Sequence, residues 1–277
     1  MSGNGPRLLV LTGGHPYVAE SFFAVFDAIA PNRWIHRSQP DAADTLTVEG
    51  CADFDAIVFY DMPGINFTRG DPPTNTPDPT PAFVAGFAGL RAAGKGLVFL
   101  HHAIAGWPAW PEYASIVGGR FHYQPAVFAD SLFPDSGYRF DVTHEIDVLD
   151  TDHPVCEGLG SSFTLTDELY LFPVLEAKVV PLLRTRFPMN DPNLFFSADL
   201  AIRGSRNSND GWTHPPGSPL VGWVKHASNS PVVYLQFGDG PVTYADANFR
   251  RVLLNACRWA ASDDAHQWAR QRNSDDS

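Results

Sequence analysis

The chain has 277 residues, of which 44% are hydrophobic and 18% charged, a composition that supports a buried core and excludes a mainly disordered protein. Asp and Glu outnumber Lys and Arg by 31 to 19, which gives a formal net charge of -12. An acidic surface repels phosphate groups, so neither nucleic acid nor an anionic membrane is expected as a partner.

The cysteine content and the absence of long apolar segments predict a cytoplasmic protein. Cys51, Cys156 and Cys257 are the three cysteines of the chain and lie far apart. An odd and sparse set does not make a disulfide framework and fits a reducing compartment. Residues 1–7 carry no apolar signal region, and no run of about 18 apolar residues could span a bilayer.

The N-terminal part of the chain alternates predicted strands and helices, which favours a parallel sheet with right-handed crossovers. Short continuous apolar runs indicate buried strands, and apolar side chains at helical spacing indicate helices. The predicted strands are residues 7–11, 34–36, 54–60 and 96–100, and the predicted helices are residues 18–29, 81–93 and 110–117.

The second half of the chain is richer in strands, several of which alternate polar and apolar residues as half-exposed strands do. Strands are predicted at residues 138–142, 145–149, 179–183, 220–224 and 231–235, and a closing helix at 244–261. We expect one domain over residues 1–261, an α/β core with a strand-rich insertion, followed by a polar, frayed tail over 262–277. Loops 61–80 and 187–219 have the length of lids, binding loops or disordered segments.

Ligands bind beyond the carboxyl ends of parallel strands, and histidines follow two of the predicted strands there. His15 follows Gly13 and Gly14 at a strand-to-helix turn, so it is a candidate metal ligand or acid–base group, the alternative being a helix-capping histidine. Adjacent residues of an extended strand point to opposite sides, so His101 and His102 should divide between cleft and interior. We expect His102 to face the cleft.

Asp167 and Glu168 are neighbouring carboxylates between apolar residues, and both are candidate catalytic residues. A carboxylate kept from water has a raised pKa and can act as a general base or a metal ligand. We expect Glu168 in the cleft and its neighbour in a structural contact. The corner after residue 100 holds no thiol or hydroxyl, and the chain has no GxSxG motif, which disfavours acyl-enzyme chemistry.

A second group of residues predicts a surface for binding a polyol, because aromatic rings stack on sugar faces and Arg or Gln side chains bind hydroxyls. For tryptophan the alternative is core packing. The candidate substrate-binding residues are Tyr17, Trp107, Arg120, Phe121, His122, Gln124 and Asp239.

Taken in order, these motifs resemble the ThuA-like (trehalose utilisation) family over residues 7–261. The residues that carry the resemblance are Gly13-Gly14-His15, Val98 to Ala103 with Trp107 and Tyr113, Gly118-Gly119-Arg120-Phe121, Asp152-His153-Pro154, Asp167 to Tyr170, and Trp259-Ala260. The resemblance implies a flavodoxin-like, class I glutamine amidotransferase-like three-layer sandwich without the amidotransferase nucleophile. It also implies a role in carbohydrate catabolism, on disaccharides or glycosides oxidised to a 3-keto form, at a metal-assisted site of His and carboxylate groups.

On this reading Glu168 or His102 removes the proton next to the 3-keto group, and the glycosidic oxygen leaves. A divalent cation such as Zn or Mn, held by His15, His102 and Glu168, would polarise the ketone. The expected partner is a small carbohydrate, with no nucleotide cofactor; the sequence leaves monomer and homo-oligomer open.

Two alternatives stay open at this point. A non-catalytic sugar-binding or scaffold protein is favoured by Tyr17, Val18, Gln124 and Asp239, which stand where the family often has histidines. A hydrolase of another small substrate would instead use a His/Glu pair without metal.

Overall fold

The computed structural model describes residues 5–276. Residues 1–4 and 277 lie outside the described residues. Part of the expectations for the N-terminal segment and for the tail concerns these residues. The strands are β1 (Leu8–Gly13), β2 (Trp34–Ser38), β3 (Ala56–Asp61), β4 (Asn66–Phe67), β5 (Thr74–Asn75), β6 (Gly96–Leu100), β7 (Ala126–Phe128), β8 (Ser131–Phe133), β9 (Gly137–Val148), β10 (Ser162–Leu171), β11 (Val180–Thr185), β12 (Phe196–Ser197), β13 (Leu220–Ala227) and β14 (Ser230–Leu235). The α-helices are α1 (Ala19–Ile29), α2 (Ala42–Thr45), α3 (Pro81–Ala93), α4 (Pro111–Val117), α5 (Ala198–Ile202), α6 (Pro241–Ala245), α7 (Ala247–Ala260) and α8 (Asp263–Asp275).

One large sheet organises the molecule, with the strand order β10-β9-β11-β13-β14-β6-β3-β1-β2 and β12 paired to β9. The strands β2, β1, β3, β6 and β14 run parallel, in the order typical of flavodoxin-like folds. The antiparallel strands β13, β11, β9 and β10 extend the same sheet, and β9 to β13 lie between β6 and β14 in the chain. The expected fold class, with its strand-rich insertion, is confirmed.

Helices cover both faces of the parallel part of the sheet, because β1, β3, β6 and β14 are apolar and buried on both sides. In β1, Val10 packs with Phe22 of α1 in one core, which also includes residues of α6 and α7. Leu9 packs with Phe87 of α3 in the other core, to which α2 and α4 contribute. This is the three-layer arrangement that continuous apolar runs predict.

Two predicted elements differ from the structure in their boundaries. The strands predicted at 138–142 and 145–149 are one strand, β9, with a register shift opposite Glu168 and a positive φ of 54° at Asp141. The closing helix predicted at 244–261 is divided into α6 and α7 by Asp246, whose carboxylate accepts the backbone N–H groups of Asn248 and Phe249. A side-chain cap of this kind starts a new helix.

The expectation of a frayed tail is wrong for residues 263–275, which form α8. Ser262 caps this helix by accepting the N–H of Ala265, and α8 packs against β13 and β14. Cys51, Cys156 and Cys257 are buried and unpaired. Within residues 5–276 no helix is long and apolar enough to cross a membrane.

Candidate active site at the end of the fourth parallel strand

His101 lies at the corner where β6 ends, and its backbone has a left-handed conformation with a φ of 47°. Non-glycine residues adopt this conformation rarely, and such strained positions cluster at functional sites. His101 is fully buried. Its Nδ1 lies 2.7 Å from the carbonyl oxygen of Gln236, which can only accept, so Nδ1 carries a hydrogen and donates it. The opposite nitrogen, Nε2, therefore remains available to other groups.

Two carboxylates and a hydroxyl surround Nε2 of His101. The nitrogen lies 3.1 Å from Oε2 of Glu168 and 3.7 Å from Oδ1 of Asp239. The hydroxyl of Tyr170 is 2.8 Å away, and its ring stacks on the imidazole. Residues from the turn after β6, from β10 and from the loop after β14 thus meet at one point, which we call the His101 cluster: His101, Glu168 and Asp239.

The position of each carboxylate has a local cause. Glu168 lies at the register shift between β10 and β9, and such irregularities re-aim side chains near active sites. Asp239 is held through Asp167, whose carboxylate accepts the backbone N–H groups of Gly238 at 2.7 Å and of Asp239 at 3.0 Å, and the hydroxyl of Thr243 at 2.7 Å. Asp167, expected as a candidate catalytic residue, is therefore a positioning residue, and Glu168 is the carboxylate of the cleft.

The charges within the His101 cluster depend on one another. Burial alone would lower the pKa of His101, but the neighbouring carboxylates of Asp239 and Glu168 outweigh it and raise this pKa well above its usual value. Burial would raise the pKa of Asp239, yet the imidazole holds it below its ordinary range. Burial raises the pKa of Glu168. Without a bound cation, the cluster is thus an imidazolium between carboxyl groups.

The His101 cluster also fits a divalent cation. Ligand atoms of all three residues lie within 4.8 Å of one another, and an imidazole with two carboxylates suits Zn or Mn. The bond from Nδ1 to the Gln236 carbonyl is the outer contact that orients metal-binding histidines. The expected set of His15, His102 and Glu168 is corrected, because His101 and Asp239 are the groups that accompany Glu168.

His102 does not face the cleft, and that expectation is wrong. Its side chain is buried, and Nε2 donates to the carbonyl oxygen of Tyr60 at 3.1 Å. The left-handed backbone of His101 cancels the alternation of an extended strand, so the first histidine and not the second turns toward Glu168. The His102 ring instead supports His15, with ring centroids 4.4 Å apart and nearly parallel planes.

His15 lines the cleft, as expected from its place after two glycines. Gly14 has a φ of +83°, and a Cβ there would collide with the carbonyl of Met62, so the turn requires glycine. Burial lowers the pKa of His15 to about 4, so the ring is neutral at pH 7. Its Nδ1 donates to the carbonyl of Pro16, which leaves Nε2 as an acceptor.

The cleft beside the His101 cluster has a volume of about 480 Å³. Both long loops contribute to it, one through Phe67 and the other through α5 and Arg206. The lining residues are His15, Pro16, Phe67, Phe121, Tyr123, Tyr138, Phe140, Glu168, Tyr170, Ala198, Ala201, Ile202 and Arg206.

Two of the expected substrate-binding residues lie elsewhere. The Tyr17 hydroxyl donates to Thr12 and its ring packs edge-on against Tyr60. Trp107 packs on the ring of Phe83, the core role that was the alternative for tryptophan. Neither ring is part of the cleft lining. Their sequence context, next to a glycine turn or after a strand end, did not distinguish a cleft position from a packed one.

The segment from Arg120 to Gln124 divides between two cavities. Phe121 lines the cleft, while Arg120, His122 and Gln124 line a neighbouring pocket of about 180 Å³, which Phe121 shares. In that pocket Gln124 accepts the hydroxyl hydrogen of Thr74 at 2.7 Å, and the Arg120 guanidinium donates to the carbonyl of Pro108. Asp239, expected to bind substrate, belongs to the His101 cluster.

Sequence reasoning missed His101 as the imidazole that lies beside Glu168, and most of the aromatic residues that line the cleft. The missed aromatic residues are Phe67, Tyr123, Tyr138, Phe140 and Tyr170. Alternation within strands, as at Tyr138 and Phe140, carries a signal for a shared face. No local signal marks Phe67, which reaches the cleft from the short β4–β5 hairpin.

Comparisons with known proteins agree with this architecture. A model of the ThuA family, described as trehalose utilisation, matches residues 7–260. Crystal structures of ThuA-like proteins from Parabacteroides merdae and Bacteroides uniformis share the fold, with TM-scores of 0.64 and 0.62 at 15% and 19% identity. The alignments cover 93% of this chain and 90% of the first protein, and 95% of both chains for the second. No curated protein sequence matches this chain at a significant level.

Proposed function

The chain belongs to the ThuA family, and we propose that it is a carbohydrate-metabolising enzyme that cleaves a glycoside or disaccharide carrying a 3-keto group. The family's description, trehalose utilisation, supports a carbohydrate-related role. The observation that carries the enzymatic part is the buried His101 cluster beside an open cleft. Charged groups are buried at a cost, so an imidazole and two carboxylates assembled at a strand end favour chemistry over simple packing.

A 3-keto group acidifies the C–H bond at the neighbouring carbon. Removal of that proton forms a double bond as the glycosidic C–O bond breaks, and the leaving oxygen takes up a proton. Addition of water across the double bond then completes a net hydrolysis. A divalent cation on His101, Glu168 and Asp239 would supply Lewis-acid polarisation of the ketone.

The residues of the chain supply the proton transfers and the orientation. His15 is neutral, lines the cleft and has Nε2 as its acceptor nitrogen, so we assign it as the proton acceptor. Tyr170 stays protonated, because burial and the neighbouring Glu168 raise its pKa well above the usual value, and its hydroxyl serves as a hydrogen-bond donor. Asp167 keeps Asp239 in place.

A second candidate, a hydrolase of another small substrate that works without metal, is supported by the ion pair within the cluster. The imidazolium of His101 already lies within 3.1 Å of Glu168 and 3.7 Å of Asp239, so it stabilises both carboxylates without a cation. Glu168, with a pKa raised by burial, would then act as the acid–base group.

The experiment is turnover of a 3-keto glycoside by the purified full chain, before and after dialysis against a chelator. We expect release of the aglycone, loss after dialysis, and recovery with Zn or Mn. Turnover that chelation leaves unchanged would show that the His101 cluster cleaves this substrate without a metal. Sugar binding without turnover under every metal condition would contradict the proposed function and identify a binding module.

A further inference from the structure

The cleft beside the His101 cluster is walled by aromatic rings. Four of them form a continuous series, since Phe67 contacts Tyr123 at 5.0 Å between ring centroids, Tyr123 contacts Phe121 at 5.2 Å, and Phe121 contacts Tyr170 at 4.7 Å. A fifth and a sixth ring, Tyr138 and Phe140, pair at 5.2 Å and line the same cleft. We call these six rings the aromatic wall.

The aromatic wall offers ring surface more than hydroxyl groups. Each of its tyrosine hydroxyls has a protein partner: the Tyr123 hydroxyl donates to Sδ of Met62 at 3.6 Å, and the Tyr138 hydroxyl accepts the N–H of Asn207 at 2.9 Å. The Tyr170 hydroxyl lies 2.8 Å from Nε2 of His101. A ligand among these rings therefore meets apolar faces.

The remaining lining extends this apolar character. Pro16, Ala198, Ala201 and Ile202 complete the apolar part of the cleft, and its other polar lining residues are His15, Glu168 and the exposed Arg206. His15 and Glu168 lie at the reacting end. A second sugar unit lying among the rings would give up hydrogen bonds to water for its several hydroxyls and find few replacements, which is costly.

Two of the six rings are exposed to solvent. Phe67 is 45% exposed and Phe140 is 44% exposed, although both are large hydrophobic side chains. A flat apolar group entering the cleft would cover them and stack against the wall, which is favourable both through the area buried and through ring–ring geometry.

We propose that the substrate's leaving group is aromatic: the cleft takes an aryl glycoside, whose aglycone lies on the aromatic wall while its oxidised sugar faces His15 and Glu168. This inference rests on the proposed function for its reaction and goes beyond it in naming the substrate class. It assigns Phe67 and Phe140 as specificity-determining residues, because they contact the aglycone and not the reacting sugar.

The first test compares kcat/KM for phenyl 3-keto-glucoside, methyl 3-keto-glucoside and 3-keto-trehalose. Burial of the phenyl ring and the better leaving group phenoxide together predict a preference for the phenyl compound of at least about tenfold over either of the others, so the aromatic subsite is tested by the change of this preference in a variant. Phe140→Ser should lower the phenyl-to-methyl ratio by about fivefold or more. Leu132→Ser is the matched control, since Leu132 is also an exposed apolar residue, at 75%, but lies outside the cleft lining.

The second test measures binding of unoxidised phenyl and methyl glucosides by calorimetry, which needs no turnover. The aromatic subsite is supported if the phenyl compound binds at least about tenfold more tightly, and if this preference is lost in Phe140→Ser and kept in Leu132→Ser. This result would support the subsite even if no 3-keto glycoside is cleaved. In that case only the proposed function fails. The inference is overturned if 3-keto-trehalose is cleaved as efficiently as the phenyl compound and both glucosides bind equally well. The proposed function would still stand.

Discussion

The parallel and antiparallel parts of the sheet contribute to the site in different ways. The parallel part delivers His101 and His15 from turns directly after β6 and β1, so local backbone conformation sets their positions. The antiparallel part delivers Glu168 from the middle of β10, where the pairing with β9 shifts register. The imidazoles thus depend on turn chemistry, and the carboxylate depends on long-range pairing. The site exists only where the two parts meet.

The largest effect on activity should come from removing either the imidazole of the parallel part or the carboxylate of the antiparallel part. His101→Asn keeps a residue that tolerates a positive φ, and Glu168→Gln keeps the shape of the side chain. Each should lower kcat/KM on a 3-keto glycoside by about 10³-fold, and the double variant should lose little more, because the residues act as a unit. Steady-state kinetics of the four proteins provides the measurement.

Glu176→Gln is the control for this comparison of single and double variants, since Glu176 is an exposed carboxylate outside the cleft. It should retain the wild-type rate. Fully additive losses in the double variant would mean that the parallel and antiparallel contributions act separately, which contradicts the cluster.

Asp167 tests how firmly the two parts are held together. Its carboxylate on β10 accepts the N–H groups of Gly238 and Asp239, in the loop that follows the last parallel strand. Asp167→Ala leaves these buried donors without a partner, so we expect a loss of about 3–4 kcal/mol in the free energy of unfolding. Urea denaturation should show a lower midpoint with an unchanged slope.

Thr243→Val removes a single bond to the same carboxylate and should cost only about 1 kcal/mol. If the two variants were equally stable, the Asp167 carboxylate would not be the group that joins the strands.

The pH dependence of stability tests a buried histidine of the antiparallel part. Burial lowers the pKa of His144, on β9, from 6.5 to about 4. Between these values the unfolded chain binds the proton and the folded chain does not, so stability present above pH 6.5 is lost as the pH falls toward 4. This histidine contributes roughly 3 kcal/mol. His101, in the parallel part, has a raised pKa and the opposite sign.

His144→Gln should flatten the stability profile, because glutamine can keep a hydrogen bond to Thr185 and does not titrate. The measurement is the free energy of unfolding at several pH values from 7 to 4.5. Parallel profiles for the variant and the wild type would show that His144 is not the residue responsible.

Sequence patterns predict best where local physics decides. The strand at 96–100 and the helix at 81–93 have the predicted bounds, because the strand is continuously apolar and the helix carries its own signals. Thr80 accepts the N–H of Phe83 at its start, and Gly94 ends it with a φ of 85°. The same kind of local reasoning places His15 and Glu168 in the cleft, which both residues line.

The rest depends on contacts between distant residues. The choice of His102 over His101 followed the alternation of an extended strand, which the left-handed backbone of His101 interrupts. Asp239 enters the cluster only because Asp167, far away in the chain, fixes its loop. The helix α8 was missed because its apolar positions are few, although Ser262 and the acidic residues after it are a helix-start signature.

The smallest expected effect concerns α8, which covers the seam where β13 and β14 join the antiparallel and parallel parts. Trp268 is half-buried, packs on Trp259 at 5.4 Å between ring centroids, and carries the guanidinium of Arg272 over its face. Trp268→Ala should therefore cost about 1–2 kcal/mol of unfolding free energy. Gln267→Ala, an exposed change on the same helix, should cost almost nothing. Equal midpoints for the two variants would show that the contacts of Trp268 do not hold α8 on the seam.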